Sequence, residues 1–154
     1  MRYLLLGLLM AAAPVGAKAE NRQSDEDAVK AAVLDYVDAF YNVKPELAKR
    51  SVAEDLNKFG HSYEADGSST WPTMSYQQLV DLAGRYNVNG RVPADAPKKI
   101  EILGMGRRIA NAKLVAQWGV DYLLLTKDAD DKWRIRQVLW EGNPPKAKIG
   151  GTTK

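Results

Sequence analysis

The sequence predicts an α+β domain in which three helices come first and an antiparallel sheet follows. Two observations predict this class. Apolar residues recur at helical spacing in the first half of the chain, and they alternate with polar residues in most of the second half. The length of 154 residues, with 45% apolar and 27% charged side chains, is typical of one globular domain. We therefore expect the helices to pack on one face of a single sheet.

The first nineteen residues are typical of an export signal. Arg2 gives a positive start, residues 4–13 form an apolar run, and Ala17-Lys18-Ala19 matches a cleavage site. The run has about half of the ~20 residues needed to span a bilayer, so we expect cleavage and a periplasmic or secreted protein. The predicted organisation is a signal peptide at 1–19, a domain at 20–142 and a flexible tail at 143–154.

Charge and composition exclude several functional classes. Cleavage would remove Arg2 and Lys18, so the formal charge would fall from +3 to +1. A charge this small removes the main electrostatic contribution to nucleic-acid binding and weakens attraction to anionic membranes. The chain has no cysteine and one histidine, His61, which excludes disulfides, thiolate chemistry and a multi-histidine metal site. We expect no cofactor, no metal, and no nucleic-acid or membrane partner.

The helical half shows signals for helix starts as well as periodicity. Ser24 is a candidate N-terminal cap for a helix with one continuous apolar stripe. Pro45 suits the first position of a short second helix. Ser75 and Gln78 form a capping box in front of the third. The predicted helices span residues 26–41, 45–52 and 76–86.

The other segments are predicted to be strands and loops. Phe59, His61 and Tyr63 alternate with Lys58, Gly60 and Ser62, which indicates a strand. Residues 64–73 and 87–98 are rich in turn-forming residues, so they are predicted to be loops. The later strands are predicted at 99–103, 108–118, 121–127 and 133–140, with a hairpin turn at 128–131.

The longest predicted strand indicates which face of the sheet is buried. One of its faces carries only apolar residues, and most of them are small or medium in size. They are Ala110, Ala112, Leu114, Ala116 and Trp118. Such side chains leave room for a close helix or for a cavity. Gln137 falls on the apolar face of the last strand, where it either bonds to backbone or water or orients a ligand.

Several aromatic residues are candidates for lining this cavity. Tyr36 lies in the middle of the apolar stripe of the first helix, and its hydroxyl needs a partner if it is buried. A structural role in the core and a role in ligand binding are both open for each residue. The predicted ligand-binding residues are Tyr36, Phe40, His61, Trp118, Tyr122 and Gln137.

Catalytic motifs are absent from the sequence: it has no phosphate-binding loop, nucleophile elbow or HExxH motif. Asp121 is the one carboxylate inside an apolar strand, where burial would raise its pKa toward that of a general base. A local structural role for Asp121 is the alternative. The enzymatic hypothesis is therefore a secreted isomerase or lyase that uses Asp121 or His61, with Tyr36 polarising a carbonyl group.

The order of these motifs resembles the nuclear transport factor 2-like superfamily and, within it, the lumazine-binding family. The resemblance covers residues 27–140. Its carriers are residues 29–41, Asp55-Leu56-Asn57-Lys58, residues 75–79, Asp121-Tyr122 and Lys132-Trp133-Arg134-Ile135. The chain departs from the pattern at Ala53-Glu54, where the family often has His-Pro, and at Asp131, where it tends to have glycine.

The resemblance implies a cone of three helices on a strongly curved antiparallel sheet, with a pocket between the first helix and the sheet. It also implies a homodimer formed through the outer sheet face. Our leading hypothesis is an exported, non-catalytic domain that binds a small aromatic or apolar molecule of the lumazine class. The alternatives are the isomerase or lyase above and a dimeric accessory module without a ligand, since a fold does not determine a function.

Overall fold

A computed structural model describes the backbone of residues 15–145 and the side chains of residues 22–145. Most of the predicted signal peptide (1–14 of 1–19) and most of the predicted tail (146–154 of 143–154) lie outside the described residues. In the described part of the chain, no helix combines the length and the apolar character that crossing a membrane requires.

Three helices form as predicted, although three of their boundaries differ. They are α1 (Val15–Tyr41), α2 (Pro45–Ser51) and α3 (Tyr76–Ala83). The predicted start of α1 was wrong, because residues 17–26 contain no proline or glycine to stop the helix, and Ser24 lies inside it instead of capping it. The capping box of α3 is confirmed. Ser75 Oγ accepts a hydrogen bond from Gln78 N, and Gln78 Oε1 accepts one from Ser75 N.

The strands form one seven-stranded sheet in the order β2-β1-β7-β6-β5-β4, with β3 paired to β1. Hairpins join β4 to β5, β5 to β6 and β6 to β7, and each of these pairs is antiparallel as predicted. The strands are β1 (Val52–Tyr63), β2 (Ser69–Thr70), β3 (Thr73–Met74), β4 (Lys99–Met105), β5 (Ile109–Ala116), β6 (Gly119–Lys127) and β7 (Trp133–Gly142).

The fold class is confirmed: three helices pack on a curved sheet that does not close. One detail of the prediction was wrong, because β1 and β7 run parallel and the sheet is therefore mixed. These two strands are not joined by a hairpin. Since α3 and a long connection separate β1 from β4, nothing in the connectivity requires β1 to be antiparallel to its neighbour.

The core lies between α1 and the inner face of the sheet, which is the face toward the helices. The apolar stripe of α1 is buried there, and so are the alanines of β5, as the sequence predicted. Ala112 and Ala116 are small enough to let a helix approach closely. Trp118 lies just beyond β5, in the two-residue turn to β6, and is half-buried.

Irregular pairing on both sides of β7 changes which side chains point inward. Ile135 pairs with Leu125 and Gln137 pairs with Leu124, so Arg136 is an extra residue in the ladder. This bulge turns Gln137 to the outer face, which is the face away from α1, and the prediction that it lies on the apolar face was wrong.

The inward side of β1 was also predicted wrongly. The ladder to β7 shifts register between Val52 and Asn57. Beyond this shift Lys58 and Gly60 are buried, while Phe59 and His61 lie on the outer face. The alternating aromatic residues of β1 therefore do not face the helices.

Candidate functional site

A polar network lies in the core between α1 and the sheet. It consists of Tyr36, Lys58, Trp118 and Asp121. The Tyr36 hydroxyl donates to Asp121 Oδ2 at 2.9 Å and accepts from Lys58 Nζ at 2.9 Å. Trp118 Nε1 donates to Asp121 Oδ1 at 3.1 Å. Each member therefore satisfies a buried polar atom of another.

Four separate elements bring the polar network together. Tyr36 comes from the middle of α1, Lys58 from β1, Trp118 from the β5–β6 turn and Asp121 from β6. The alternation of β6 turns Asp121 inward and places Tyr122 on the other face. A long lysine side chain then reaches from β1 to the same point, with Lys58 Nζ 3.8 Å from Asp121 Oδ2.

The two charges of the network are almost completely removed from water. The side chain of Asp121 is 0% exposed and that of Lys58 is 7% exposed. Burial lowers the pKa of Lys58, and the negative charge of Asp121 opposes this effect. Burial raises the pKa of Tyr36 well above its usual value, and Asp121 raises it further. The hydroxyl therefore stays protonated and remains a donor to Asp121.

Aromatic rings surround one side of the polar network. We define the aromatic cluster as Tyr36, Phe40, Tyr86 and Trp118, whose rings meet edge to face. The centroid of the Trp118 ring is 6.2 Å from that of Tyr36, 5.3 Å from that of Phe40 and 5.8 Å from that of Tyr86. Tyr86 and Trp118 are only half-buried, so the cluster extends from the core to the surface.

The charge of Lys58 also contacts aromatic faces. Its Nζ lies 5.6 Å from the ring centroid of Tyr36 and 5.4 Å from that of Trp140. These distances are within the range of cation–π attraction. Trp140 is half-buried, and its backbone lies against Gly60, where an added Cβ would come within 1.9 Å of the Trp140 carbonyl oxygen. Glycine at position 60 is what allows β7 to approach this closely.

Three of the six predicted ligand-binding residues come together. Tyr36, Phe40 and Trp118 belong to the aromatic cluster, and the alternative catalytic residue Asp121 lies beside them. The sequence had predicted an open hollow at this place. Instead, edge-to-face rings and the polar network occupy the space beneath this part of α1.

The other three predicted residues lie on the outer face. Tyr122 is 48% exposed, because strand alternation turns it to the face of the sheet opposite to that of the buried Asp121. Gln137 is turned outward by the bulge of β7. His61 packs on Trp71, with ring centroids 4.0 Å apart, and its Nδ1 is buried with no hydrogen-bond partner in the described part of the chain. His61 and Asp121 therefore point to opposite faces and cannot act on one molecule together.

Gln137 instead lines a cavity of about 560 Å³ on the outer face. Its walls include the exposed residues Ile109 and Leu124, with Asn111 as a second amide. The bulge of β7 and the register shift of β4 both occur beside this cavity. A bent sheet thus produces the cavity, and it lies on the side away from the polar network.

Lys58 is the most important residue of the network that sequence reasoning missed. A lysine that alternates with Phe59 and His61 looks solvent-exposed, and only the pairing of β1 with β7 turns it inward. A signal was present, because Asp121 is a lone acid in an apolar strand and requires a donor or a cation. Tyr86, in the turn after α3, was also missed. Among residues 22–145, no three histidine or carboxylate side chains converge as a metal site would require.

A comparison with known protein families shows which family the chain belongs to. The family described as "Putative lumazine-binding" matches residues 24–141. The chain belongs to this family. No curated protein matches it. Membership agrees with the resemblance found in the sequence, and the fold is that of the nuclear transport factor 2-like class.

Solved structures agree on the fold. A nuclear transport factor 2-like protein of unknown function from Silicibacter pomeroyi has a TM-score of 0.60 at 18% identity, covering 79% of this chain and 98% of that one. One from Shewanella baltica has a TM-score of 0.59 at 16% identity, with coverages of 79% and 96%. A ketosteroid isomerase-like protein from Erwinia carotovora has 0.51 at 16%, with coverages of 77% and 96%. At these identities the likeness concerns the fold alone.

Proposed function

We propose that this family member is an exported, non-catalytic domain that binds a small aromatic molecule where the aromatic cluster reaches the surface. One observation carries the proposal. A buried lysine, tyrosine and aspartate lie directly beneath rings that are only half-buried. Binding sites for small molecules commonly combine apolar walls with a few fixed polar groups, and this arrangement supplies both.

Each part of the site has a separate task in this proposal. Tyr86, Trp118 and Trp140 offer half-exposed ring faces and edges to a flat ligand. Lys58 Nζ has three protons and donates one to Tyr36, so it can donate to an oxygen of the ligand. A lumazine-type heterocycle presents flat faces and carbonyl oxygens, which fits this pairing. Small rotations of Trp118 and Tyr86 would open the space for it.

The arrangement of Asp121 favours binding over catalysis. Both of its carboxylate oxygens accept hydrogen bonds, one from Tyr36 and one from Trp118. A general base must lie within hydrogen-bond reach of the substrate proton, whereas Asp121 is fully buried behind Tyr36 and Trp118. His61, the other candidate for the isomerase or lyase hypothesis, lies on the outer face. These positions support the non-catalytic reading.

Ligand binding can be tested by thermal and chemical unfolding. Lumazine at 100 times its dissociation constant is expected to raise the free energy of unfolding by about 2.7 kcal/mol. The substitution Lys58→Met should abolish this increase, measured against the variant without ligand. Lys113→Met is the matched control, because Lys113 contacts the Tyr122 ring on the outer face and should leave the increase unchanged.

The opposite pattern would contradict the proposal. An equal ligand effect in both lysine variants would place the ligand elsewhere. No effect from lumazine, or from flavins and sterols tested in parallel, would favour the accessory module without a ligand.

Export is part of the proposal and rests on the segment 1–19. Cleavage before Glu20 would remove the first five residues of α1 and leave the described packing of α1 from Val29 onward intact. N-terminal sequencing of the protein recovered from the periplasm or medium tests this, and retention of Met1 would contradict it.

A homodimer through the outer face is the third part. This face exposes five large apolar side chains on the neighbouring strands β4 to β7, where a sheet face toward water usually carries polar residues. The exposed residues are Leu103, Ile109, Tyr122, Leu124 and Leu139. A second copy of the chain would cover this patch together with the cavity beside Gln137.

The dimer predicts a change of oligomeric state on substitution. Leu124→Arg places a charge in the middle of the patch, so the variant is expected to be a monomer in light scattering after gel filtration. Leu34→Arg is the control, since Leu34 has a similar exposure on α1 and should leave the dimer unchanged. A wild-type protein of monomer mass at micromolar concentration would refute the dimer.

A further inference from the structure

A second cavity, of about 780 Å³, lies at the opposite end of α1 from the aromatic cluster. It is formed by the first described side chains of α1, the β4–β5 turn and the β6–β7 turn. We call it the basic cavity, because its lining within residues 22–145 contains four cationic side chains and two carboxylates. These residues are Arg22, Asp25, Arg107, Arg108, Lys127 and Asp131.

One cation and one carboxylate of the basic cavity neutralise each other. Lys127 Nζ lies 2.7 Å from Asp25 Oδ1, and Trp133 Nε1 donates to the same oxygen at 3.0 Å. These hydrogen bonds lower the pKa of Asp25. Among the described residues of the lining, three arginines then remain against Asp131, which leaves an uncompensated charge of about +2.

Arg108 is held in place without being neutralised. Its Nε and Nη2 donate to the carbonyl oxygen of Lys127 at 3.2 and 2.8 Å, and Nη2 also donates to that of Asp128 at 2.5 Å. Carbonyl groups orient the guanidinium but do not cancel its charge. Within residues 22–145, the Nη1 group of Arg108 makes no hydrogen bond. The side chain therefore presents oriented donors at little further cost in entropy.

The other two arginines carry free charge into the same space. Arg107 follows Gly106 in the tight turn that closes with the bond from Gly106 N to Ile109 O. Neither Arg22 nor Arg107 forms an ion pair with another side chain in the described part of the chain. Three arginines from two distant segments of the chain thus line one cavity, which a local run of basic residues would not produce.

We propose that the basic cavity binds a compact dianion, specifically the phosphate group of a small phosphomonoester. Guanidinium groups match phosphate oxygens in charge and geometry better than any other side chain. The excess charge of about +2 matches the charge of a phosphomonoester near neutral pH. The volume exceeds what a phosphate alone requires, so the organic part of the ligand also has space.

The test is calorimetric titration of the intact protein with inorganic phosphate at constant ionic strength. Wild type is expected to bind, and Arg107→Gln and Arg108→Gln are each expected to weaken binding by roughly tenfold or more. Arg91→Gln is the control, because it removes the same charge outside the cavity and should leave binding unchanged. Arg107 makes no described contact that the fold needs, so its variant remains informative if Arg108→Gln is unstable.

Further binding measurements distinguish the possible sources of the phosphate group. Vesicles of phosphatidylcholine, with and without an anionic phospholipid, compare a lipid headgroup with the free ion. Binding of inorganic phosphate that Arg107→Gln weakens and Arg91→Gln does not supports the proposal. Equal weakening by all three substitutions would mean unspecific charge attraction. Binding to anionic vesicles alone would mean a membrane surface. Either result, or no binding at all, overturns the proposal.

Discussion

Replacing Asp121 with alanine is expected to lower the free energy of unfolding by about 3 to 5 kcal/mol. The carboxylate is the only acid within reach of the Lys58 ammonium among the described residues, at 3.8 Å. Without it the ammonium stays buried with no counter-charge, and the hydroxyl of Tyr36 and Nε1 of Trp118 lose their acceptor. Each of these losses leaves a buried polar group unsatisfied, and such losses are more costly than the loss of an exposed ion pair.

Urea unfolding of a small set of variants isolates the cause. Adding Lys58→Met to Asp121→Ala should recover part of the lost stability, because the unpaired charge is then removed as well. Asp38→Ala is the matched control. It removes a carboxylate from an ion pair with Lys98 that is partly exposed to water, and should cost no more than about 1 kcal/mol. Equal costs for the two aspartates would mean that water reaches Asp121 and that the network is not a buried one.

The polar network shows where sequence reasoning succeeds and where it stops. The helical stripe of α1 and the alternation of β5 depend on one element each, and a periodic pattern is sufficient to predict them. The capping box at Ser75 and Gln78 is also local, and it was found at the predicted place. The family resemblance added the arrangement of these elements, which no single segment encodes.

The predictions that failed depend on pairing between distant strands. Gln137 was assigned to the apolar face by counting every second residue, and one extra residue at Arg136 reverses that count. The orientation of Lys58 follows from its position beside Val138 of β7, eighty residues further along the chain. Alternation divides the residues of a strand between two faces, but it does not tell which face is buried. The bulges that decide this cannot be recognised in a single sequence.

The predicted hollow failed for a related reason. The alanines of β5 were taken to leave a space, but Tyr86 and Trp118 come from turns whose course the sequence does not specify. Their rings pack against Tyr36 and Phe40 and take up the volume. The same two turns also provide the half-buried rings on which the proposed ligand site depends.

Alkaline conditions are expected to destabilise the protein, and Tyr36 is expected to account for a large part of the effect. Its pKa is raised well above 10.0, so the folded state keeps the proton that the unfolded chain releases above that pH. Stability from this group is therefore complete below pH 10 and falls as pH rises further. The slope is about 1.4 kcal/mol per pH unit until the folded-state pKa is reached.

Lys58 acts in the opposite direction and must be separated from Tyr36. Its pKa is lowered from 10.5, so between the lowered value and 10.5 the folded state has lost a proton that the unfolded chain still binds. Stability consequently rises with pH across that window and stops changing above 10.5. The net free energy of unfolding should then decline most steeply above pH 10.5, where the opposing effect of Lys58 has ended.

Unfolding free energies measured in urea across this pH range, for wild type and Tyr36→Phe, compare the two slopes. The phenylalanine variant is less stable near neutral pH, because Lys58 and Asp121 lose the hydroxyl between them. Above pH 10.5, however, its curve should fall less steeply than that of wild type, by about 1.4 kcal/mol per pH unit. Tyr41 and Tyr86 also have raised pKa values and contribute equally to both curves. Parallel curves would contradict this prediction. They would mean that Tyr36 ionises in the folded state as readily as in the unfolded chain, although its hydroxyl is enclosed between a carboxylate and aromatic rings.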